Sequence, residues 1–370
     1  MSVTDLDPYQ DIRPYHDDEV PGVLAGLLKN AEFVSALGQF RFPRLSRFAP
    51  SLVNQLVRFA LGRQLAGVRT VAGMQDVIAA YMGKMIERTT HRVTFSGLEG
   101  LDANKAYLFI SNHRDIAMDP AFVNWGLYHH GMQTVRIAIG DNLLKKPYVS
   151  DLMRLNKSFI VKRSVKGREK LKALMELSGY ISHSIDSGHS IWIAQREGRA
   201  KDGNDFTDPA IIKMFYMGKK KSTPDFAEAV RELNIVPVSI AYQYDPCDAL
   251  KARELQALAS EGAYEKGQYE DIESIAQGIT GFKGDVHVAF GQPMSGDYET
   301  PEALAEAIDR EIIGNYHLHA SNRVAADEAE AVDDADRKAF EERLQRVSAE
   351  CRPWLKAMYA NPALNKQKLA

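Results

Sequence analysis

The residue best placed to move a proton is His113, in the segment Tyr107-Leu-Phe-Ile-Ser-Asn-His-Arg-Asp-Ile-Ala-Met-Asp-Pro120. An apolar run ends there at Ser111, and Asp119-Pro120 signals a helix start. His113 therefore falls in a turn at the carboxyl end of a strand, where open α/β sheets place their sites. An imidazole can take a proton from a hydroxyl near neutral pH. A carboxylate on its other nitrogen would fix the tautomer and stabilise the imidazolium. Asp119 and Asp115 both offer that carboxylate. The pattern alone also fits a solvated turn, so the rest of the chain has to decide.

Two further segments end apolar runs in charge. Ser158-Phe-Ile-Val-Lys-Arg-Ser164 closes on Lys162 and Arg163. Ser190-Ile-Trp-Ile-Ala-Gln-Arg-Glu-Gly-Arg-Ala-Lys-Asp-Gly203 leads into a loop with Glu197, Gly198 and Arg199. A guanidinium fork suits an anionic group such as phosphate, although most arginines are surface charges. Val236-Pro-Val-Ser-Ile240 reads as a strand holding a proline.

The elements that must position these residues fall into three regions. Residues 1–95 read as a mainly helical N-terminal region after a polar arm that contains proline. Between Phe40 and Arg92 it carries nine basic residues against Asp76 and Glu87 alone, with Leu52, Leu56, Phe59 and Leu65 near helical spacing. Such a segment can lie on an anionic bilayer or pack as a helical layer with solvated arginines. Residues 96–300 alternate short apolar runs with helical patterns. Strands are expected at 92–96, 107–111, 134–139, 159–162, 190–194, 235–241 and 286–290, with helices at 119–128, 165–187 and 224–233. That alternation implies an α/β fold, a mixed sheet covered by helices. Residues 301–370 read as a C-terminal helical tail, in which the acidic stretch 325–336 has the composition of a linker.

With the four blocks in this order, the chain resembles the phospholipid/glycerol acyltransferase family, specifically a divergent branch of its 1-acyl-glycerol-3-phosphate acyltransferase-like members. Asn112-His113 through Asp119 is similar to the first block, with its catalytic His and Asp. Residues 159–163 are similar to the second, which ends in a phosphate-contacting Arg; Glu197-Gly198-Arg199 resembles the third and residues 236–240 the fourth. Asn142-Leu-Leu-Lys-Lys-Pro147 and the strand before Gly291-Gln-Pro293 also look like family segments. The resemblance covers about residues 90–296. Two departures stand out: five residues separate His113 from Asp119 where the family has four, and Gly198 and Arg199 are adjacent where the family has one residue between them. A bulge before the helix would keep Asp119 as the partner of His113, and the family alignment favours it over Asp115.

The resemblance implies an O-acyltransferase. His113 would act as general base on an acceptor hydroxyl, which attacks the thioester of acyl-CoA or acyl carrier protein as co-substrate. No cofactor and no metal are implied. Arg163, Lys162 and Arg199 would hold the anionic head group of a lysophospholipid or glycerol phosphate, with Glu197 on an acceptor hydroxyl or anchoring an arginine. Glycerol 3-phosphate or a lyso-aminolipid is an alternative acceptor; a non-catalytic lipid-binding protein at the membrane surface is the alternative from another class.

Composition limits the rest. The net charge of −3 gives no general case for a nucleic-acid partner. Cys247 and Cys351 support neither a disulfide framework nor a thiolate zinc site, and fit a reducing cytoplasm. The first five residues lack the pattern of a signal peptide, and no run of about 18 apolar residues predicts a transmembrane helix. The expected location is cytoplasmic and peripheral, on the inner face of the membrane. His129-His130 and His317/His319 lack a supporting ligand set, and there is no Gly-x-Ser-x-Gly elbow, Walker loop or dinucleotide fingerprint.

Overall fold

A computed structural model describes residues 7–267, 269–328 and 332–369. In chain order its elements begin with α1 (Val20–Lys29), α2 (Ala31–Arg41), α3 (Pro43–Phe48), α4 (Pro50–Leu65) and α5 (Val71–Thr89). Then come β1 (Arg92–Ser96), β2 (Leu108–Ser111), α6 (Met118–His129), β3 (Arg136–Gly140), α7 (Pro147–Leu155), β4 (Ser158–Val161), α8 (Arg168–Asp186) and β5 (Ile191–Ala194). They continue with α9 (Pro209–Lys219), α10 (Phe226–Glu232), β6 (Ile235–Tyr242), α11 (Asp248–Glu261), α12 (Glu270–Thr280), β7 (Asp285–Phe290), α13 (Pro301–Gly314), α14 (Ala320–Ala325), α15 (Asp334–Leu344) and α16 (Arg352–Gln367). The seven strands expected from sequence are all present within two residues of their bounds. The signal peptide expectation falls on residues 1–5, outside the described residues, as do 329–331 of the acidic stretch. The chain divides into two compact units, one of residues 1–81 and 136–173, the other of 82–135 and 174–370, so that the boundary falls inside α5 and α8.

The first unit is built on short helices started by proline. Pro43 and Pro50 open α3 and α4, where a missing N–H costs nothing, and Asn30 caps α2 by accepting from Phe33 N at 2.9 Å. Val20, Leu24, Leu27, Phe33, Val53 and Leu155 form its core. The helix α4 is apolar on two faces: Val53 and Val57 point into that core, while Leu52, Leu56 and Phe59 are exposed. β3 and β4 run parallel with Ile137 opposite Ser158, and the N-terminal arm reaches β4 through Ile160 N donating to Ile12 O. No single described helix is long and apolar enough to cross a membrane; α1 and α2 pass that test only as a pair bent by 72°.

The second unit holds five strands in the order β1-β7-β6-β2-β5. β1 and β7 are parallel, β7 and β6 antiparallel, and β6, β2 and β5 parallel, which makes the sheet mixed. β2 and β6 are buried along their whole length, which explains their near-continuous apolar runs. Pro237 fits inside β6 because of which way its nitrogen faces. Its carbonyl accepts from Gly291 N, just past the last residue of β7, so its absent N–H points to where that ladder has ended. Thr300 caps α13 and Pro301 opens it, and α11, α14, α15 and α16 bury Ala252, Ala325, Phe340 and Leu355 among themselves.

Candidate active site

The strand β2 ends at Ser111, but the sheet continues for one more residue through a side chain. Asn112 Nδ2 donates to Ile240 O at 2.9 Å, and Ile240 N donates to Asn112 Oδ1 at 2.8 Å. The amide thus takes the place of a backbone unit against β6, and Asn112 is fully buried. Ser111 Oγ donates to Asn112 O at 2.7 Å and accepts from Trp192 Nε1 at 3.0 Å. The chain can leave the sheet only after this point, with His113.

His113 Nδ1 lies 2.8 Å from Asp119 Oδ2. The imidazole side chain is 15% exposed and the carboxylate 0%. Asp119 Oδ2 also accepts from Arg114 N at 2.6 Å and Asp115 N at 3.0 Å, while Oδ1 accepts from Tyr242 Oη at 2.7 Å. With Nδ1 committed to an acceptor, the neutral ring carries its proton there and leaves Nε2 as the basic nitrogen. The edge of Trp192 closes one side of the ring, with centroids 5.5 Å apart.

Asp115 does a different job. Its Oδ1 accepts from Ala117 N at 3.0 Å and Met118 N at 2.8 Å, which turns the chain into α6. Through this turn the five residues after His113 still bring Asp119 to it. Asp115 Oδ2 is buried with no hydrogen-bond partner among the described residues. It abuts Gly278 of α12, where an added Cβ would lie 2.1 Å from it. Burial, reinforced by the charge of Asp119, pushes the Asp115 carboxyl up to about 6.

Arg114 locks the loop from the other side. Its guanidinium is buried, 2.6 Å from Asp205, with the Tyr316 ring 5.8 Å away. Burial works against its charge, but Asp205, Tyr316, Asp245 and Asp119 together outweigh it and hold the group firmly protonated. Lys251 Nζ donates to Arg114 O at 2.7 Å and pairs with Asp245.

The other residues singled out from sequence are held as follows. Glu197 and Gly198 are exposed in the loop after β5, and Gly198 has φ +77°, a conformation that favours glycine. Arg199 is half-buried, with Nη1 lacking a hydrogen-bond partner among the described residues. Lys162 and Arg163 follow β4 in the first unit. Asp141 accepts from Arg163 N at 3.1 Å and from Ser164 N at 3.3 Å, and the Arg163 side chain runs over Gly140. Among the described residues the one close group of three metal-type ligands is His16, Asp18 and Glu19. It stands at the surface, with Glu19 already engaged by Arg13.

Sequence reasoning did not single out Tyr242, Trp192, Arg114, Asp205 or Gly278. Tyr242 shows in sequence only as the end of an apolar run, as Ser111 does; that their strands lie side by side comes from the fold. The others depend on strand order and helix placement.

Residues 92–242 match the family model described as Acyltransferase, from the first residue of β1 to the last of β6. The chain therefore carries an acyltransferase-family domain, and acyl transfer is the general chemistry that domain supports. Among solved structures the chain is similar to the 1-acyl-sn-glycerophosphate (LPA) acyltransferase PlsC from Thermotoga maritima. Identity is 14% and the TM-score 0.40, over 86% of this chain and 100% of that one.

Proposed function

We propose that the protein is an O-acyltransferase that moves a fatty acyl group from acyl-CoA or acyl carrier protein to a hydroxyl of a lysophospholipid or glycerol phosphate, lysophosphatidate first among them. The observation that carries this is the 2.8 Å contact between His113 Nδ1 and the buried Asp119 carboxylate at the end of β2. Nε2 of His113 takes the acceptor proton as the oxygen attacks the thioester carbonyl, and the thiolate leaves. The thioester is already activated, so no acyl-enzyme is required. A base held in place contributes about 10²- to 10⁴-fold. Arg199, with its unpartnered Nη1, and Glu197 are assigned to the acceptor head group. Lys162 and Arg163 keep the same assignment on the family resemblance alone.

Wild type and His113→Ala are to be compared for free-thiol release from long-chain acyl-CoA and acyl carrier protein, with acceptors that include glycerol 3-phosphate and lyso-aminolipids. Release that needs an acceptor and falls at least 10²-fold in the variant is expected. No release from folded wild type with any donor would favour the lipid-binding alternative.

A peripheral place on an anionic membrane is part of the same reading. Phe40, Phe48 and Phe59 are 68%, 87% and 70% exposed, and Arg41, Arg44, Arg47 and Arg58 lie among them in sequence. Aromatic and leucine side chains with arginines around them suit the headgroup boundary. Sedimentation with vesicles is expected to require anionic lipid and to weaken with salt; binding indifferent to both would remove this part of the reading.

A further inference from the structure

We infer that Tyr242 governs the pH at which His113 can accept a proton, by donating its phenolic hydrogen to the outer oxygen of Asp119. The geometry is specific. Tyr242 Oη stands 2.7 Å from Asp119 Oδ1, and no other group donates to that oxygen among the described residues. Oδ2 meanwhile is shared by His113 and two backbone N–H groups. Both side chains are buried, and the Tyr242 ring is held edge-on by Phe122 of α6 at 5.8 Å. The phenol is thus fixed at the carboxyl end of β6, one strand over from the end of β2 that launches His113.

A donor on a carboxylate draws charge away from the side that faces its other partner. With Tyr242 in place, Asp119 still orients the imidazole but stabilises the imidazolium less. Burial and the charges of Asp119 and Asp115 keep the phenol protonated, so it remains a donor through the neutral range. The other ionisable groups facing the pair are Arg114 and Asp115 on its own loop, Asp205 after β5, Asp245 after β6, Lys251 of α11 and Tyr316 after α13. These stay in place when only the phenolic oxygen is removed. Tyr242 is a positioning residue: it acts on the base through Asp119 and does not touch the reacting atoms.

The inference rests on the acyl-transfer reading only for its rate arm, and the deciding experiment is independent of turnover. In the full chain labelled with ¹⁵N-histidine, the His113 ring signals are assigned by their loss in His113→Ala and followed with pH. Tyr242→Phe is expected to move their midpoint upward by about half a unit or more. Replacing Tyr242 by 3-fluorotyrosine, a stronger donor of the same shape, is expected to move it downward. A midpoint unmoved by either change overturns the inference, and the fluorinated protein decides alone if Tyr242→Phe does not fold. In the rate arm, the acid limb of kcat/KM is expected to shift the same way. If wild type transfers no acyl group, the acyl-transfer reading falls, and the nitrogen titration still settles the role of Tyr242.

Discussion

The loop after β2 and the loop after β5 leave the same edge of the same sheet and are finished in opposite ways. After β2, His113, Arg114 and Asp115 are each tied down: an imidazole nitrogen on Asp119, a guanidinium on Asp205, a carboxylate on the first N–H groups of α6. After β5, Arg196 and Gly198 stand exposed, and Nη1 of Arg199 has no hydrogen-bond partner among the described residues. The first loop is fixed by the protein's own contacts, as the proposed proton transfer would require. The second leaves charge available, which suits a group whose partner is the ligand.

If that contrast is sound, damage to the first loop should fall on turnover and damage to the second on binding. The largest effect is expected from Asp119→Asn. Its amide nitrogen would face donors at Oδ1 or Oδ2, so kcat should fall about 10²-fold or more, with thermal stability also reduced; a change in KM alone would break the comparison. Next comes Asp115→Asn, which keeps the oxygen that caps α6 and removes a charge. The folded carboxyl titrates near 6 against an unfolded value of 3.8, so the native state binds the extra proton between those values. Stability is therefore lost as pH rises from about 4 to about 6, by up to about 3 kcal/mol. Urea denaturation at pH 5 and pH 7 should show a smaller difference for Asp115→Asn than for wild type. The smallest effect is expected from Arg199→Ala, a rise in KM for a phosphate-bearing acceptor of about tenfold with kcat nearly unchanged. A matching fall in kcat would make the second loop part of the catalytic geometry and blur the distinction.

The strands were readable because each is a short apolar, β-branched run set off by turn residues, and β2 and β6 are buried on both faces. Their order was not readable. Nothing local to residues 107–120 says that β6 will lie beside β2, so Tyr242 could not be matched to Asp119 across 123 positions. The charged patterns were visible as types but not as destinies: Arg114 sits between His113 and Asp115 in sequence and is buried, whereas Arg196 three strands later is exposed. What separates them is the carboxylate of Asp205, which arrives only through the fold. Similarly, Leu52, Leu56 and Phe59 read as part of the apolar side of a helix, yet α4 turns them outward and buries Val53 and Val57 instead.

The bridge from Asn112 to Ile240 bears on when the chain becomes functional during synthesis. A nascent chain that has released its first 200 residues holds His113, Asp119 and Trp192, but it lacks the strand that receives the Asn112 amide and the phenol that meets Asp119. Two of the contacts that shape the histidine loop therefore wait for residues 240 and 242 to emerge and pair. Lys251 and Tyr316, which brace Arg114, come later still. The histidine loop is thus completed late in synthesis, and a fragment that ends before residue 240 would carry its side chains without the scaffold that aims them.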